Sequence, residues 1–380
     1  MRRPIAELAT ILAEEGHTIT VIYPYSKKCP IKNWVANEAI EKGQTEGRIK
    51  AVPVNSWYFA PLRYNFPNFF SVIREVQKAY RENDKVHIWE YYYPLSAVAL
   101  FWAALSSKRR KKTILTTDGF VGYSYRPKKP RWLVPVFKVY TQLVARFLFK
   151  IPAVMTTYGE VMRPYARQAG VNLNKLQVLP TGIHVEKFQQ ISEEKLKKLR
   201  QEFNLSEEKV VLFVGMLTER KGVDKVIAVS TKLLEDGQDI KIILVGDAHG
   251  ENTFRNLVPE EHKENIIFAG GRKDIPELMH VSTVLLLPSE GEGLPGVVME
   301  AMACGLPVVA TQEGCTSDLL EDGKEGFLIK NTTVNEYYEA VKTIITQPKM
   351  AEQMSKKGRE KINAFSWEKV SRTYLKLYHE

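Results

Sequence analysis

Apolar and polar positions follow two different rhythms along this chain, short apolar runs and longer amphipathic stretches. The apolar runs predict strands at residues 17–24, 86–90, 112–117 and 153–157 in the first half, and at 210–215, 240–246, 266–268, 283–287 and 307–311 in the second. The amphipathic stretches predict helices at 4–15, 96–105, 223–234, 295–304, 337–345 and 350–362. Strands that alternate with helices predict a mostly parallel sheet in each half of the chain.

The alternation breaks near residues 179–188, where Pro180 and Gly182 interrupt it. We therefore predict two α/β domains, residues 1–180 and residues 181–364. Ligands of such sheets bind beyond the carboxyl ends of the strands, so a cleft between the two domains is the expected site.

The pattern opens on a helix, although a doubly wound domain normally opens on a strand and a glycine-rich turn. Arg2, Arg3 and Pro4 precede this helix, and no apolar run stands before them. We expect the first domain to lack its opening strand because the sequence starts downstream of the natural start. That strand is usually central, so its loss would leave ladder hydrogen bonds unpaired.

Composition narrows the class of protein. The 380 residues are 44% hydrophobic and 26% charged, which excludes a disordered or collagen-like chain. Cys29, Cys304 and Cys315 have no CxxC spacing, so neither a zinc site nor a disulfide framework is expected. Sparse cysteines favour a reducing, cytoplasmic setting.

The apolar runs are too short or too charged to predict a membrane-spanning helix, which needs about 20 nearly uncharged residues. The longest are 95–105 and 132–149, and Lys138 and Arg146 interrupt the second. Acidic residues such as Glu7 interrupt the apolar core that a signal peptide would need.

The segment at residues 288–311, PSEGEGLPGVVMEAMACGLPVVAT, carries the strongest chemical signal. It predicts a buried strand, then a loop, then a helix that starts near Pro295 and Gly296. The first amides of a helix lack internal partners and suit a phosphate. Glu292 and Glu300 lie eight positions apart, and carboxylates beside a cleft accept hydrogen bonds from sugar hydroxyls. The alternative is a solvated acidic loop before an amphipathic helix.

This segment resembles the E-x7-E signature of glycosyltransferase family 4. Further stretches resemble that family at residues 7–22, 178–188, 214–227, 243–247 and 365–378, so the resemblance covers nearly the whole chain. It implies the GT-B fold, two Rossmann-like doubly wound domains that face a cleft, and a C-terminal helix over 365–380 that packs back on the first domain. It also implies a retaining transferase that uses a nucleotide-diphosphate sugar.

The resemblance also implies roles for single residues in the second domain. Glu300 is expected to hold the donor ribose, and Glu292 to contact hydroxyls of the transferred sugar. Lys221 is expected to neutralise the diphosphate leaving group, whose charge grows in the transition state. The remaining donor-binding residues are expected to be Gly293, Leu294, Pro295, Gly296 and Val297 in the loop and helix start, with Arg272 near the base.

Two positions depart from the family pattern. Met216 stands where the family usually carries an Arg, and Met cannot donate a hydrogen bond to a phosphate. Either Arg220 takes the place of that Arg, or the phosphate is bound more weakly. Thr117 stands where a His is common after the fourth strand of the first domain. Asp118 beside it is then a candidate to bind the acceptor hydroxyl or to act as a base, and an Asp-Gly turn with Gly119 is the equally weighted alternative.

No carboxylate nucleophile is evident in the second-domain motifs, so a front-face transfer in which the leaving phosphate helps to deprotonate the acceptor fits better than a covalent intermediate. No DxD pair occurs either, and Lys221 with the helix amides can replace a metal. We expect neither a metal nor another cofactor. Tyr123 is among the aromatic residues that could stack on the acceptor, or simply belong to the core.

The positive charge lies in the first domain. The chain has a net charge of +10, and residues 1–180 alone carry +16, from 28 Lys and Arg against 12 Asp and Glu. Basic residues concentrate at 108–112 and 126–131, and on the predicted helix over 132–150 they share one stripe. This pattern suits an anionic membrane surface, with about 1 kcal/mol per adjacent cation. The alternative is an internally packed helix beside a solvated basic loop. Nucleic acid is not expected because none of its binding motifs occurs.

The function expected from all this is sugar transfer to an acceptor hydroxyl, on a lipid-linked or membrane-associated glycan at the inner face of the cytoplasmic membrane. Two alternatives stay open. One is a transferase that makes a soluble glycoside. The other is a truncated or degenerate relative that binds a nucleotide sugar or a lipid without turnover, which Met216, Thr117 and the missing strand would suit.

Overall fold

The computed structural model describes residues 4–25, 47–59, 64–124, 133–247 and 254–379. The chain divides into two compact units. Unit 1 comprises Met1–Gly182 and Glu368–Glu380, and unit 2 comprises Ile183–Trp367. The chain therefore passes from unit 1 to unit 2 and returns. The basic run at 126–131 lies outside the described residues.

The described strands of unit 1 form two sheets. The first contains β1 (Ile19–Tyr25), β2 (Ile49–Phe59) and β3 (Tyr64–Pro67), and the second contains β4 (Val86–Trp89), β5 (Thr113–Thr117), β6 (Val154–Thr157) and β7 (Leu176–Val178). All neighbours pair in parallel except β2 and β3, which form an antiparallel hairpin. In the described part of the unit, β1 and β4 each stand at one edge of their sheet.

Helices cover these sheets. In chain order they are α1 (Pro4–Glu14), α2 (Phe69–Glu82), α3 (Pro94–Ala104), α4 (Ser107–Lys112), α5 (Leu133–Tyr140), α6 (Arg146–Leu148) and α7 (Met162–Ala169). A π-helical turn over Thr141–Ala145 joins α5 to α6, so one continuous helical segment runs from 133 to 148. As predicted, the first described element is a helix.

Unit 2 is built on one parallel sheet of six strands in the order β10-β9-β8-β11-β12-β13. The strands are β8 (Lys209–Val214), β9 (Ile240–Val245), β10 (Ile266–Gly270), β11 (Val284–Leu287), β12 (Val308–Thr311) and β13 (Gly326–Ile329). The helices are α8 (Glu186–Gln189), α9 (Glu193–Glu202), α10 (Val223–Glu235), α11 (Ile275–Val281), α12 (Gly296–Cys304), α13 (Thr316–Leu319), α14 (Val334–Thr346) and α15 (Pro348–Ile362). The central strands are almost wholly inaccessible to solvent, as their continuous apolar runs predict.

The last helix, α16 (Trp367–His379), returns the chain to unit 1. The Tyr378 hydroxyl lies 2.6 Å from Nδ1 of His87 on β4, and the Tyr374 hydroxyl donates to the Leu179 carbonyl at 3.4 Å. Burial lowers the pKa of His87 to about 3, so this imidazole is neutral. These contacts attach α16 to the second sheet of unit 1, on which the resemblance places it.

Candidate functional site

The turn after β8 holds Lys221 against the loop that follows β11. Thr218 begins this turn, and its hydroxyl accepts from the Lys221 amide at 3.4 Å. Gly222 then has φ +72°, and a Cβ there would lie 2.3 Å from the Pro288 carbonyl oxygen. Only glycine allows so close an approach, so the start of α10 and the loop after β11 are in direct contact.

That contact brings two predicted site residues together. Nζ of Lys221 lies 2.5 Å from Oε1 of Glu292, and the two side chains are only 16% and 12% exposed. The backbone of Glu292 is fixed by Gly314, where a Cβ would lie 1.6 Å from the Glu292 carbonyl oxygen, and the Cys315 amide donates to the Gly293 carbonyl at 2.9 Å. A cation and a carboxylate are thus held side by side with little water around them.

Arg220 supports the same loop. Its Nη1 donates to the carbonyl of Glu290 at 3.1 Å and to that of Gly291 at 3.4 Å, while the Glu290 amide donates to the Arg220 carbonyl. The described contacts of this guanidinium are therefore structural. Met216, at the end of β8, is 53% exposed and presents no donor at its position.

The start of α12 offers amides. Pro295 caps this helix without a side-chain hydrogen bond, and among the described residues the amides of Gly296 and Val297 have no acceptor. Leu294 packs against the core of the unit from the loop before it. One turn further, burial raises the pKa of Glu300 to about 7. The segment therefore places a positive helix end and a titratable carboxyl on the same helix.

Arg272 has a different environment. Its Nε donates to Asp274 at 2.8 Å, its Nη1 pairs with Glu202 on α9, and its guanidinium lies over the Phe203 ring at 5.2 Å. In the described part of the chain no contact joins it to Lys221 or Glu292. A role toward the base of the donor remains a prediction.

In unit 1 the strand ends bring together a carboxyl group and the predicted acceptor residues. Glu90, directly after β4, is 8% exposed and has φ +60°, a conformation that costs energy outside glycine. Its Oε2 accepts from the Thr117 hydroxyl at 2.8 Å and its Oε1 from the Asp118 amide at 2.9 Å. Burial, and then the charge of Asp118, raise the pKa of Glu90 well above its usual value.

The residues after Asp118 form a compact turn. The Thr117 hydroxyl lies 2.7 Å from the Gly119 carbonyl, and a Cβ on Gly119 would approach the Ser124 hydroxyl to 2.9 Å. Tyr123 is only 7% exposed, with Nζ of Lys138 5.7 Å from its ring centroid. The hydrogen-bonded turn begins at Phe120, whose carbonyl accepts from the amides of Tyr123 and Ser124, and the role of Asp118 remains a prediction.

Sequence reasoning did not select Glu90, although one signal could have. It is the only acidic residue in the run VHIWE, and it comes immediately after a predicted strand, where the carboxyl ends of parallel strands place ligand-binding groups.

In the part of the chain that the structure describes, no group of three or more His, Cys, Asp or Glu side chains is placed to hold a metal ion. None of the helices described is long and apolar enough to cross a membrane.

Comparison with protein families gives two adjacent matches. Residues 2–187 match the model described as Glycosyltransferase Family 4, and residues 195–361 match that of Glycosyl transferases group 1.

Curated relatives include the spore coat protein SA of Bacillus subtilis (strain 168), 29% identical over 196 residues, which are 48% of this chain and 52% of the relative. N-acetyl-alpha-D-glucosaminyl L-malate synthase of Bacillus anthracis is 28% identical over 188 residues, 49% of each protein. The chain thus spans about half the length of these relatives.

Solved structures match over nearly the whole chain. A glycosyltransferase from Rickettsia africae ESF-5 gives a TM-score of 0.77 at 20% identity, covering 99% of this chain and 93% of that one. HepE of Anabaena, solved with UDP-glucose, gives 0.73 at 20% identity, covering 99% and 94%. At this identity the likeness establishes the fold, which is GT-B with two α/β domains, as the sequence predicts.

Proposed function

We propose that the chain is a family 4 glycosyltransferase, since residues 2–187 and 195–361 each match a glycosyltransferase model, and that it moves a sugar from a nucleotide-diphosphate donor to an acceptor hydroxyl with retention of configuration. The observation that carries this proposal is the contact between Lys221 and Glu292 in unit 2. It pairs a cation for phosphate with a carboxylate for sugar hydroxyls in one poorly hydrated place.

Unit 2 would contact each part of the donor: the phosphate, the ribose and the transferred sugar. The free amides of Gly296 and Val297 suit a phosphate oxygen, because helix N-termini bind anions. Glu300 suits the two ribose hydroxyls, which both donate to one carboxylate. Glu292 suits hydroxyls of the transferred sugar. The loop that carries these groups is fixed in place by Arg220 and Gly314 before any donor arrives.

Lys221 supplies the main electrostatic contribution to catalysis. As the bond between the anomeric carbon and the phosphate oxygen breaks, negative charge grows on the diphosphate, and a cation already fixed nearby stabilises that charge. A front-face reaction, in which the leaving phosphate accepts the acceptor proton, accounts for retention without a carboxylate nucleophile. Lys221 and the helix amides then supply the positive charge that a metal would otherwise provide, so transfer should persist in excess EDTA.

The acceptor is proposed to be a lipid-linked or membrane-associated glycan, because the excess positive charge belongs to the first 180 residues and not to the donor unit. Asp118 is proposed to bind its hydroxyl, with the buried Glu90 fixing the Asp118 amide. A soluble acceptor is the alternative, and its transfer rate should not depend on vesicles.

The deciding experiment is a panel of nucleotide-diphosphate sugars in a thermal shift assay, followed by NMR of the product made from the best donor. A specific donor stabilises the folded state by mass action, about 2.7 kcal/mol at a hundred times its Kd. We expect one donor to stand out, Glu300→Gln to lose most of its shift, and the product to keep the donor's anomeric configuration. An inverted product would refute the retaining proposal, and binding without turnover would favour the degenerate alternative.

A further inference from the structure

Exposed large apolar side chains are concentrated in unit 1. Among the described residues, twelve of the fourteen belong to this unit, and only Met216 and Leu257 belong to unit 2. Single exposed apolar residues are ordinary, but a contiguous group of them marks an interaction surface. Eleven of the twelve lie on or next to three elements of unit 1, of which one, α3, contacts the other two.

The helical segment from 133 to 148 is the first element. Val136, Val139, Leu143 and Phe147 recur at helical spacing along one side and are 49–64% exposed, with Val144 beside them at 47%. The opposite side carries the residues that pack into the unit, such as Thr141 and Ala145 at 0% exposure. The sequence predicted one stripe of basic residues on this helix, and in the structure part of its remaining, apolar surface is exposed to solvent.

The hairpin β2–β3 and the start of α2 form the second element. Trp57 and Phe66 face each other across the hairpin, with ring centroids 6.1 Å apart, and Trp57 is 64% exposed. Phe69 and Phe70 follow at 61% and 81%. Four aromatic rings are therefore presented within fourteen residues of chain.

Helix α3 connects these two elements. It contacts β3, α2 and α6, and it exposes Phe101 at 64%, followed by Leu105 at 59%. We call these eleven side chains the apolar face. Its members are Trp57, Phe66, Phe69, Phe70, Phe101, Leu105, Val136, Val139, Leu143, Val144 and Phe147.

Cations border the apolar face. In α4, Arg109 donates to the Trp102 carbonyl and Arg110 to the Ala104 carbonyl. These hydrogen bonds hold both guanidinium groups at the C-terminal end of α3. Lys111 of the same helix is exposed, and Lys150 is exposed with its Nζ 5.3 Å from the Phe147 ring centroid. Apolar side chains with lysines at their margin match a bilayer, where the rings enter the interface and the ammonium groups meet anionic headgroups.

We propose that the apolar face inserts into the interface of an anionic lipid bilayer. This inference rests on the membrane-associated acceptor of the proposed function, and it adds which surface docks and how. Aromatic and aliphatic side chains supply the apolar burial, and the cationic margin supplies attraction of about 1 kcal/mol per residue near the surface. Attraction between lysines and anionic headgroups does not by itself explain why these eleven apolar side chains are exposed.

Vesicle flotation tests the proposal with the full chain. We expect binding to phosphatidylglycerol vesicles and much weaker binding to phosphatidylcholine vesicles. Phe70→Ser and Phe147→Ser should each lower the partition coefficient at least about tenfold, since each removes a phenyl ring that would be buried in the interface. Leu257→Ser, 51% exposed in unit 2, is the matched apolar control and should bind like the parent. Lys111→Glu with Lys150→Glu should reduce binding and its salt sensitivity, whereas Lys349→Glu in unit 2 should not.

Three outcomes would overturn the proposal. They are an absence of binding to anionic vesicles at low salt, equal binding by the Phe variants and the parent, or self-association through the apolar face that vesicles do not compete away. The vesicles hold no acceptor, so the result is independent of turnover. Donor-induced thermal shifts in the same variants report on unit 2 separately, and a failed transfer reaction with intact flotation would count against the proposed function alone.

Discussion

The two units differ in the charges of their candidate site residues and in the surfaces that they expose. In unit 2 the candidate groups lie on the turn after β8 and the loop after β11, above a sheet whose central strands are sealed from water, and the closest pair has opposite charges. In unit 1 two carboxyl groups, Glu90 and Asp118, lie together because the Asp118 amide donates to Glu90, and the described surface carries exposed apolar and basic side chains. Under the proposed function, this contrast would separate recognition of a small charged donor from recognition of an extended acceptor and its surroundings.

The largest effect should come from the opposite-charge pair. Lys221→Ala removes the cation that we propose to stabilise the leaving group, and we expect kcat to fall by about 10²–10³, the range found for loss of one preorganised donor. Initial-rate kinetics with the donor found in the panel would measure it.

Lys225→Ala is the matched control for that change. Lys225 lies four residues further on and reaches Glu290 of the same loop at 3.5 Å, so its loss perturbs the loop's charge without touching Glu292. We expect its kcat to stay within a few-fold of the parent. If the two variants lose activity equally, the loop's stability and not the Lys221 cation is what matters.

The next effect concerns pH. The pKa of Glu300 is raised to about 7, and ribose hydroxyls prefer the ionised carboxylate, so donor binding should release a proton. Donor affinity should then fall about tenfold from pH 8 to pH 6, as the carboxylate takes up its proton. Calorimetric titration with the nucleotide sugar would measure this change. Glu300→Gln should bind the donor more weakly, and its affinity should not change with pH. If the donor affinity of Glu300→Gln changes with pH as that of the parent does, another group titrates.

A smaller effect should follow from restoring an Arg in unit 2. Met216 is 53% exposed, so Met216→Arg should leave the free energy of unfolding within about 0.5 kcal/mol. A guanidinium near the diphosphate should tighten donor binding about three- to tenfold. Equilibrium binding of the nucleotide sugar measures it, and Leu257→Arg controls for a general gain in positive charge. Unchanged affinity would mean that Met216 does not face the diphosphate.

The smallest effect should come from the pair of carboxyl groups in unit 1, Glu90 and Asp118. Glu90 has a raised folded-state pKa, so its contribution to stability is present at low pH and is lost as the pH rises through that pKa. Glu90→Gln keeps the neutral shape and cannot ionise. The Tm of Glu90→Gln relative to the parent should therefore rise as the pH increases above about 5, where the carboxyl of the unfolded chain is ionised, by about 2–4 °C. A difference that stays constant with pH would show that Glu90 does not bear a proton in the folded state.

Much of the fold could be predicted because buried strands leave a clear trace. The apolar runs that became β8, β9 and β11 are nearly uninterrupted, and each was located within two residues. The hairpin strand β2 was not found, since it contains Pro53 and polar positions such as Asn55 and Ser56. The three-residue β7 is too short for any period to show.

The candidate site in unit 2 could be predicted because its residues are close in sequence and their spacing is itself the signal. The contact between Gly314 and the Glu292 backbone could not be predicted, because it depends on the path that the chain takes after β12. In unit 1, Glu90 and Thr117 are 27 residues apart, and only the adjacent positions of β4 and β5 join them. Which side of the 133–148 segment is exposed also depends on tertiary packing, because its apolar residues surround most of the helix.

The return of α16 has a consequence for how the molecule is made. The helix that covers His87 and fixes Leu179 is encoded after all of unit 2, so on the ribosome unit 2 has its complete sequence before unit 1 does. Until α16 emerges, the His87 side of the second sheet has no cover from that helix. Unit 1 therefore completes its packing only after all of unit 2 has been synthesised. We expect chaperones to contact unit 1 of the nascent chain during synthesis.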